Sequence, residues 1–216
     1  MIRRTRCISF PRSGHHLLVD LLVLYLGDDL VYADRYGSHD IHGKRVDKTP
    51  GSPGHCVPCS FKDNPQANLE KNHDYDLDIP HDLPVIVQTR PVLDSIISWY
   101  NFQVDEAATE DSQIAWETFA ESAARFRIGF DNKWVLPMLD QAVLIDYNDL
   151  VGNPRFTLHT VLSFLGIEVD DNRINEVLCS MKIQRRNTVD SFRWYDPDFY
   201  NRILKTVDLG LNRAPC

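Results

Sequence analysis

The sequence predicts an α/β domain, a three-layer α/β/α arrangement with a mainly parallel central sheet. Three observations predict it. Short apolar runs at residues 5–10, 84–89 and 142–147 alternate with stretches whose apolar residues recur at helical spacing. The first run passes through Pro11-Arg12-Ser13-Gly14 straight into a long apolar helical stretch. The second ends in Arg90-Pro91, directly before another helical pattern.

Bulk composition limits what the chain can be. Its 216 residues fit one domain, 1–216, with a substantial core. The hydrophobic and charged fractions, 43% and 25%, are those of ordinary globular proteins. A net charge of −8 argues against broad nucleic-acid binding, yet leaves room for a small basic pocket. Five cysteines do not suggest a disulfide scaffold, so a reducing, cytoplasmic setting is expected. The longest apolar run, 17–26, is broken by Asp20 and falls short of the ~20 residues a membrane span requires. Arg3, Arg4 and Arg6 imitate a signal peptide, but Leu26-Gly27-Asp28 is no small-residue cleavage site.

Residues 5–10 read as a strand and 14–26 as a helix stopped by Gly27-Asp28-Asp29. A tight turn running into a helix N-terminus is an anion cradle. The first N–H groups point outward and the helix dipole adds positive charge. Gly14 permits close backbone approach, and Arg12 adds a charge suited to phosphate or sulfate oxygens. No Lys-Ser or Lys-Thr pair follows Gly14, so this is not a Walker A loop. By itself the turn equally fits a plain strand–turn–helix with a surface arginine.

Residues 34–68 form a long irregular loop, holding four of the ten glycines and four prolines. Loops of that length are often lids or binding segments. His39, His42, His55, Cys56 and Cys59 also lie there. Cys56-Val57-Pro58-Cys59 lacks a second C-x-x-C, so a zinc site stands beside the plainer reading of loop cysteines and solvated histidines. Lys71-Asn72-His73 follows, and alone its spacing means little.

Residues 84–89 are a short β-branched run, suited to a buried parallel strand. Pro91 opens a helix in which Val92, Ile96, Trp99 and Tyr100 recur. Arg90 then sits at the strand's C-terminal end, where ligands of open parallel sheets bind, with Ser98 about two turns into the helix. Residues 112–130 are a core helix with Trp116, Phe119, Ala123 and Phe126 on one face. Residues 142–147 are another buried strand, leading through Asn153-Pro154 to a helix ending near Gly166. Helices at 170–181 and 196–207 complete the chain. Tyr147 reads as a core aromatic with its hydroxyl satisfied.

Three of these stretches, in this order, resemble the sulfotransferases. Pro11-Arg12-Ser13-Gly14 is similar to that family's 5′-phosphosulfate loop, Pro-(Lys/Arg)-Ser-Gly-Thr-Thr, with His15 and His16 in place of the threonines. Lys71-Asn72-His73 resembles its Lys-Thr-His, and Arg90 with Ser98 its Arg-(x)7-Ser pair. The resemblance implies transfer of a sulfuryl group from 3′-phosphoadenosine 5′-phosphosulfate (PAPS), leaving 3′-phosphoadenosine 5′-phosphate (PAP), on a P-loop-like fold. It makes His73 the general base, with Lys71 and Arg12 stabilising charge. Ser13, Gly14, His15 and His16 would hold the 5′-phosphate through backbone N–H groups, the imidazoles standing in for threonine hydroxyls as further donors. Arg90 and Ser98 would hold the 3′-phosphate, and Tyr147 would lie near the adenine. Arg185 and Arg186 fall where the family carries Arg-Lys-Gly, with Arg193 a competing arginine. No metal is required. The acceptor is left as a small molecule or carbohydrate bearing a hydroxyl or amine. A nucleotide-dependent phosphotransferase and a zinc-stabilised binding module are the alternatives.

Overall fold

The computed structural model describes residues 2–36, 42–43, 60–137, 139–183, 189 and 191–211. Its centre is a five-stranded sheet of β1 (Thr5–Ser9), β2 (Tyr32–Asp34), β3 (Leu69–Asn72), β4 (Val85–Thr89) and β5 (Ala142–Asp146), in the order β2-β3-β1-β4-β5. Every neighbouring pair is parallel. All the C-terminal strand ends therefore lie along one edge.

The helices are α1 (His15–Leu26), α2 (Val92–Asp105), α3 (Gln113–Phe130), α4 (Tyr147–Gly152), α5 (Pro154–Phe164), α6 (Asp171–Ser180) and α7 (Pro197–Leu211). Strand alternation divides the core in two. Cys7, Leu69, Ile86 and Ile145 face a cluster with α1, α5 and α6. Ile8, Val85 and Val87 face the other way, onto α2, α3 and α7. The expected three layers follow from that alternation. Ser112 caps α3, Asn153 precedes Pro154 at the head of α5, and Asp170 caps α6. Among the described residues no helix is long and apolar enough to cross a membrane.

Two strands lie where the sequence shows no strand pattern. Residues 69–72 read Leu-Glu-Lys-Asn, yet all four are buried. Each polar group has a partner from elsewhere in the chain. Arg6 Nε donates to Glu70 at 3.2 Å, Lys71 Nζ lies 3.6 Å from the Asp34 carboxylate, and the Tyr36 hydroxyl donates to Asn72 at 3.1 Å. β2 lies just ahead of the loop expected over 34–68 and shares only Asp34 with it. Past α3 the chain continues into one π-helical turn, Asp131–Val135.

Candidate active site

The Pro11–Gly14 turn leaves the C-terminal end of β1 and reverses at once. Arg12 adopts φ 66° and Gly14 φ 84°, both left-handed. Gly14 is the residue before α1, which carries neither a side-chain cap nor an acidic residue in its first turn. The N–H of Ser13 closes the turn onto the Phe10 carbonyl at 3.2 Å. The N–H groups of His15 and His16 sit in the first helical turn, which no earlier turn of the helix can serve. Ser13 is 1% exposed, and its hydroxyl has no hydrogen-bond partner. A buried hydroxyl without a partner is costly. Here it lies beside a helix N-terminus, where an anion would satisfy it.

Gly14 is there for space as well as for φ. A Cβ at this position would lie 2.7 Å from Tyr147 and 3.2 Å from Leu150. Gly14→Ala is expected to lose about 1–2 kcal/mol of stability from the left-handed backbone alone. Chemical denaturation measures it.

Arg12 is half-buried. Its Nε donates to Ser98 Oγ on α2 at 3.2 Å, and its guanidinium lies 5.0 Å from the Phe102 ring centre. Arg90 is 5% exposed at the end of β4. Its guanidinium donates to the Arg12 carbonyl at 3.4 Å and lies 4.3 Å from the ring centre of Tyr147. Arg127 in turn donates to the Arg90 carbonyl at 2.8 Å and is held by Asp131 at 2.7 and 2.8 Å. The turn, Arg90, Ser98 and Tyr147 thus form one connected group. Tyr147 packs under the turn, against Gly14 and Arg90.

His73 follows β3 on the same edge. Its Nδ1 lies 2.7 Å from the Ser9 carbonyl, which only accepts, so Nδ1 carries the proton and Nε2 the lone pair. Burial, reinforced by the Lys71 charge, pulls its pKa down from 6.5 to about 4, against the opposing pull of the Ser9 hydrogen bond and Asp34. The ring is a neutral base near pH 7. Sequence reasoning missed the residue that holds it. Tyr36 stacks on His73 with ring centres 4.8 Å apart, and its hydroxyl accepts from the His73 backbone N–H at 2.9 Å. Burial pushes the Tyr36 pKa up to about 12, so the hydroxyl stays protonated. Asp74 fixes the next turn by accepting from Lys133 and Trp134, each at 2.8 Å, and from the Ile79 N–H at 3.0 Å.

One expected donor is corrected. The His15 imidazole is turned into the core, 4% exposed, with Nδ1 3.0 Å from Gln88 Oε1 and Nε2 2.6 Å from the Tyr32 hydroxyl. It supports the helix from beneath and leaves only its N–H for the cradle. His16 is half-buried next to it. Arg193 is exposed and pairs with Asp111. Arg185 and Arg186 lie outside the described residues, as do His39, His55, Cys56 and Cys59.

A family model described as "Sulfotransferase domain" matches residues 80–195. No curated protein sequence matches the chain. Among solved structures, a mouse sulfotransferase complexed with PAP aligns with a TM-score of 0.64 at 14% identity, covering 98% of this chain and 84% of that one. Retinol dehydratase in complex with androsterone and the inactive cofactor PAP aligns at 0.67 and 13% identity, over 100% and 83% of the two chains. A sulfotransferase domain from the Curacin biosynthetic pathway gives 0.55 at 14% identity, over 96% and 98%. At such identities the likeness is one of fold.

Proposed function

The chain belongs to the sulfotransferase-domain family, whose model matches more than half of it, and from that premise we propose that it moves a sulfuryl group from PAPS to a hydroxyl or amine of an acceptor, as a single domain. The observation that carries this reading is the convergence of the Pro11–Gly14 turn, His73 and Arg90 on one edge of a parallel sheet. The residues present fit the nucleotide. The partnerless hydroxyl of Ser13 at the head of α1 is what an anion there would satisfy, on a turn whose left-handed φ at Gly14 brings the first helical N–H groups beside it.

In this reading the N–H groups of Gly14, His15 and His16 and the Ser13 hydroxyl hold the 5′-phosphate. Arg90 and Ser98 hold the 3′-phosphate, and the contact between Arg12 and Ser98 joins the two subsites. Tyr147 backs Arg90, on the adenine side of the site. Arg185 and Arg186 are proposed to close over the 3′-phosphate. Bound there, PAPS would supply the sulfuryl group, with its 5′-phosphate as the leaving portion. His73 takes the acceptor proton at Nε2, its other nitrogen being fixed by Ser9. Arg12 and Lys71 stabilise negative charge that develops at transfer. Lys71 is held for this by Asp34. No metal has a part in the scheme. The cysteine pattern supports a cytoplasmic setting.

Incubation with PAPS and a mixed pool of phenol, alcohol and amine acceptors tests the reading. One sulfated product with equimolar PAP is expected. Transfer from ATP with magnesium, and none from PAPS, would contradict it.

A further inference from the structure

Arg90 and His73 stand past the ends of β4 and β3, with β1 between those strands. Two strand spacings, about 10 Å, thus separate the group assigned to the 3′-phosphate from the one assigned to the acceptor proton. The sheet ladder holds the strands, but residues just past its ends rely on other contacts. One short element supplies such contacts to both. The π-helical turn Asp131–Val135 continues α3, and the Leu136 N–H closes it onto the Asp131 carbonyl at 2.8 Å. At its start Asp131 grips the Arg127 Nε with both carboxylate oxygens, and Arg127 donates to the Arg90 carbonyl at 2.8 Å. Further along the turn, Lys133 and Trp134 both donate to Asp74 Oδ2 at 2.8 Å. Asp74 directly follows His73. Between the two grips Phe130 packs edge-on against Phe10, the residue ahead of the Pro11–Gly14 turn.

Resting on the sulfotransferase reading for the roles of His73 and Arg90, we propose that this π turn is a brace that sets the spacing between the donor site and the base. Asp131, through Arg127, is a positioning residue for Arg90. Lys133 and Trp134, through Asp74, are positioning residues for His73. Single π turns inside helical runs occur mostly at functional sites, and here the turn lets one helix end serve two strands. The groups involved are costly ones to bury. Asp74 is 2% exposed with a left-handed φ of 49°, and Asp131 and Arg127 are buried with it. Apolar side chains could fill the same space at less cost. What the ion pairs add is a fixed distance and direction. Transfer between a bound donor and a base depends on both, since small misplacements of reacting groups lose large factors in rate.

The two ends of the brace have separate readouts, neither of which needs the acceptor. Calorimetry with PAP reads Arg90. The nitrogen chemical shifts of the His73 ring read which nitrogen carries the proton, Nδ1 in the braced protein. Asp131→Asn keeps the shape and removes the charge. It is expected to weaken PAP binding about tenfold and to leave the His73 proton on Nδ1. Asp74→Asn keeps a residue that tolerates the left-handed backbone but confronts Lys133 and Trp134 with an amide. It is expected to leave PAP affinity unchanged and to mix the two His73 tautomers. Arg127→Lys and Trp134→Phe are milder versions of the two and should move the same readouts less. Tm recorded on each variant separates positioning from general loosening. A lowered Tm with both readouts at wild-type values, or both readouts moving together in every variant, overturns the brace while leaving the donor site standing. Wild-type protein that fails to bind PAP instead removes the donor reading, and with it the Arg90 end of the brace.

Discussion

His73→Ala is expected to lower kcat by about two to four orders of magnitude, the usual worth of a general base, while PAP binds with unchanged affinity. The imidazole is built for that single task. Ser9 fixes the proton on Nδ1, and Tyr36 stacks on the ring while its hydroxyl accepts from the His73 backbone N–H. Neither contact belongs to the turn that would take the nucleotide. Rates and calorimetry on the same variant separate chemistry from binding, and near-normal kcat would remove His73 from the mechanism. The pH dependence has a definite sign. A base must be unprotonated, and the His73 pKa is depressed to about 4 in the folded protein. kcat/KM, which reports the free enzyme, should therefore hold from neutral pH down through 6.5 and fall only as pH nears about 4. Stability shares the direction. The unfolded histidine gains a proton below about 6.5, while the folded one does not until about 4. This group's contribution is thus present above the unfolded value and lost as pH falls between the two. An acid limb of kcat/KM at an ordinary histidine value would contradict the buried environment.

Arg90→Ala is expected to weaken PAP binding by about 2–3 kcal/mol, the worth of hydrogen bonds to a charged group, or roughly 30- to 150-fold. The effect should fall on the 3′-phosphate, so adenosine 5′-phosphate would lose far less. Arg90 also donates to the Arg12 carbonyl and lies over Tyr147, and part of any loss could come through the turn. Arg90→Lys separates the two. It keeps the charge but loses the flat fork, and should recover only part of the affinity. An Arg90→Ala protein that still folds and binds PAP like wild type would place the 3′-phosphate elsewhere.

Much of this arrangement can be read from residues alone. β1, β4 and β5 announce themselves because each holds a short apolar run, but only β4 is buried throughout; β5, expected to be a buried strand, is the outer strand of the described sheet, with Ile145 buried and Leu144 exposed. The turn at Pro11–Gly14 and Arg90 at a strand end are legible because their chemistry depends on backbone position, which local sequence sets. β3 is not legible. Glu70, Lys71 and Asn72 are stable in a buried strand only because Arg6, Asp34 and Tyr36 arrive from distant segments. Tyr36 was hidden for the same reason, since its partner is 37 residues away. The two histidines after Gly14 show the limit most clearly. Neighbours in sequence, they diverge because His15 meets Gln88 and Tyr32 beneath the sheet edge, and only their placement reveals which way its ring turns. The cluster of rings beside His73 combines Tyr36 and Tyr75, from the segments after β2 and β3, with Trp99 of α2 and Phe126 of α3, and becomes continuous only in three dimensions.

Calorimetric titration of PAP against adenosine 5′-phosphate and against ATP with magnesium tests the central claim most directly. Tight PAP binding that depends on the 3′-phosphate and needs no magnesium is the expected result. Equal affinity for adenosine 5′-phosphate, or a preference for ATP with magnesium, would contradict a sulfuryl-donor site at this edge of the sheet.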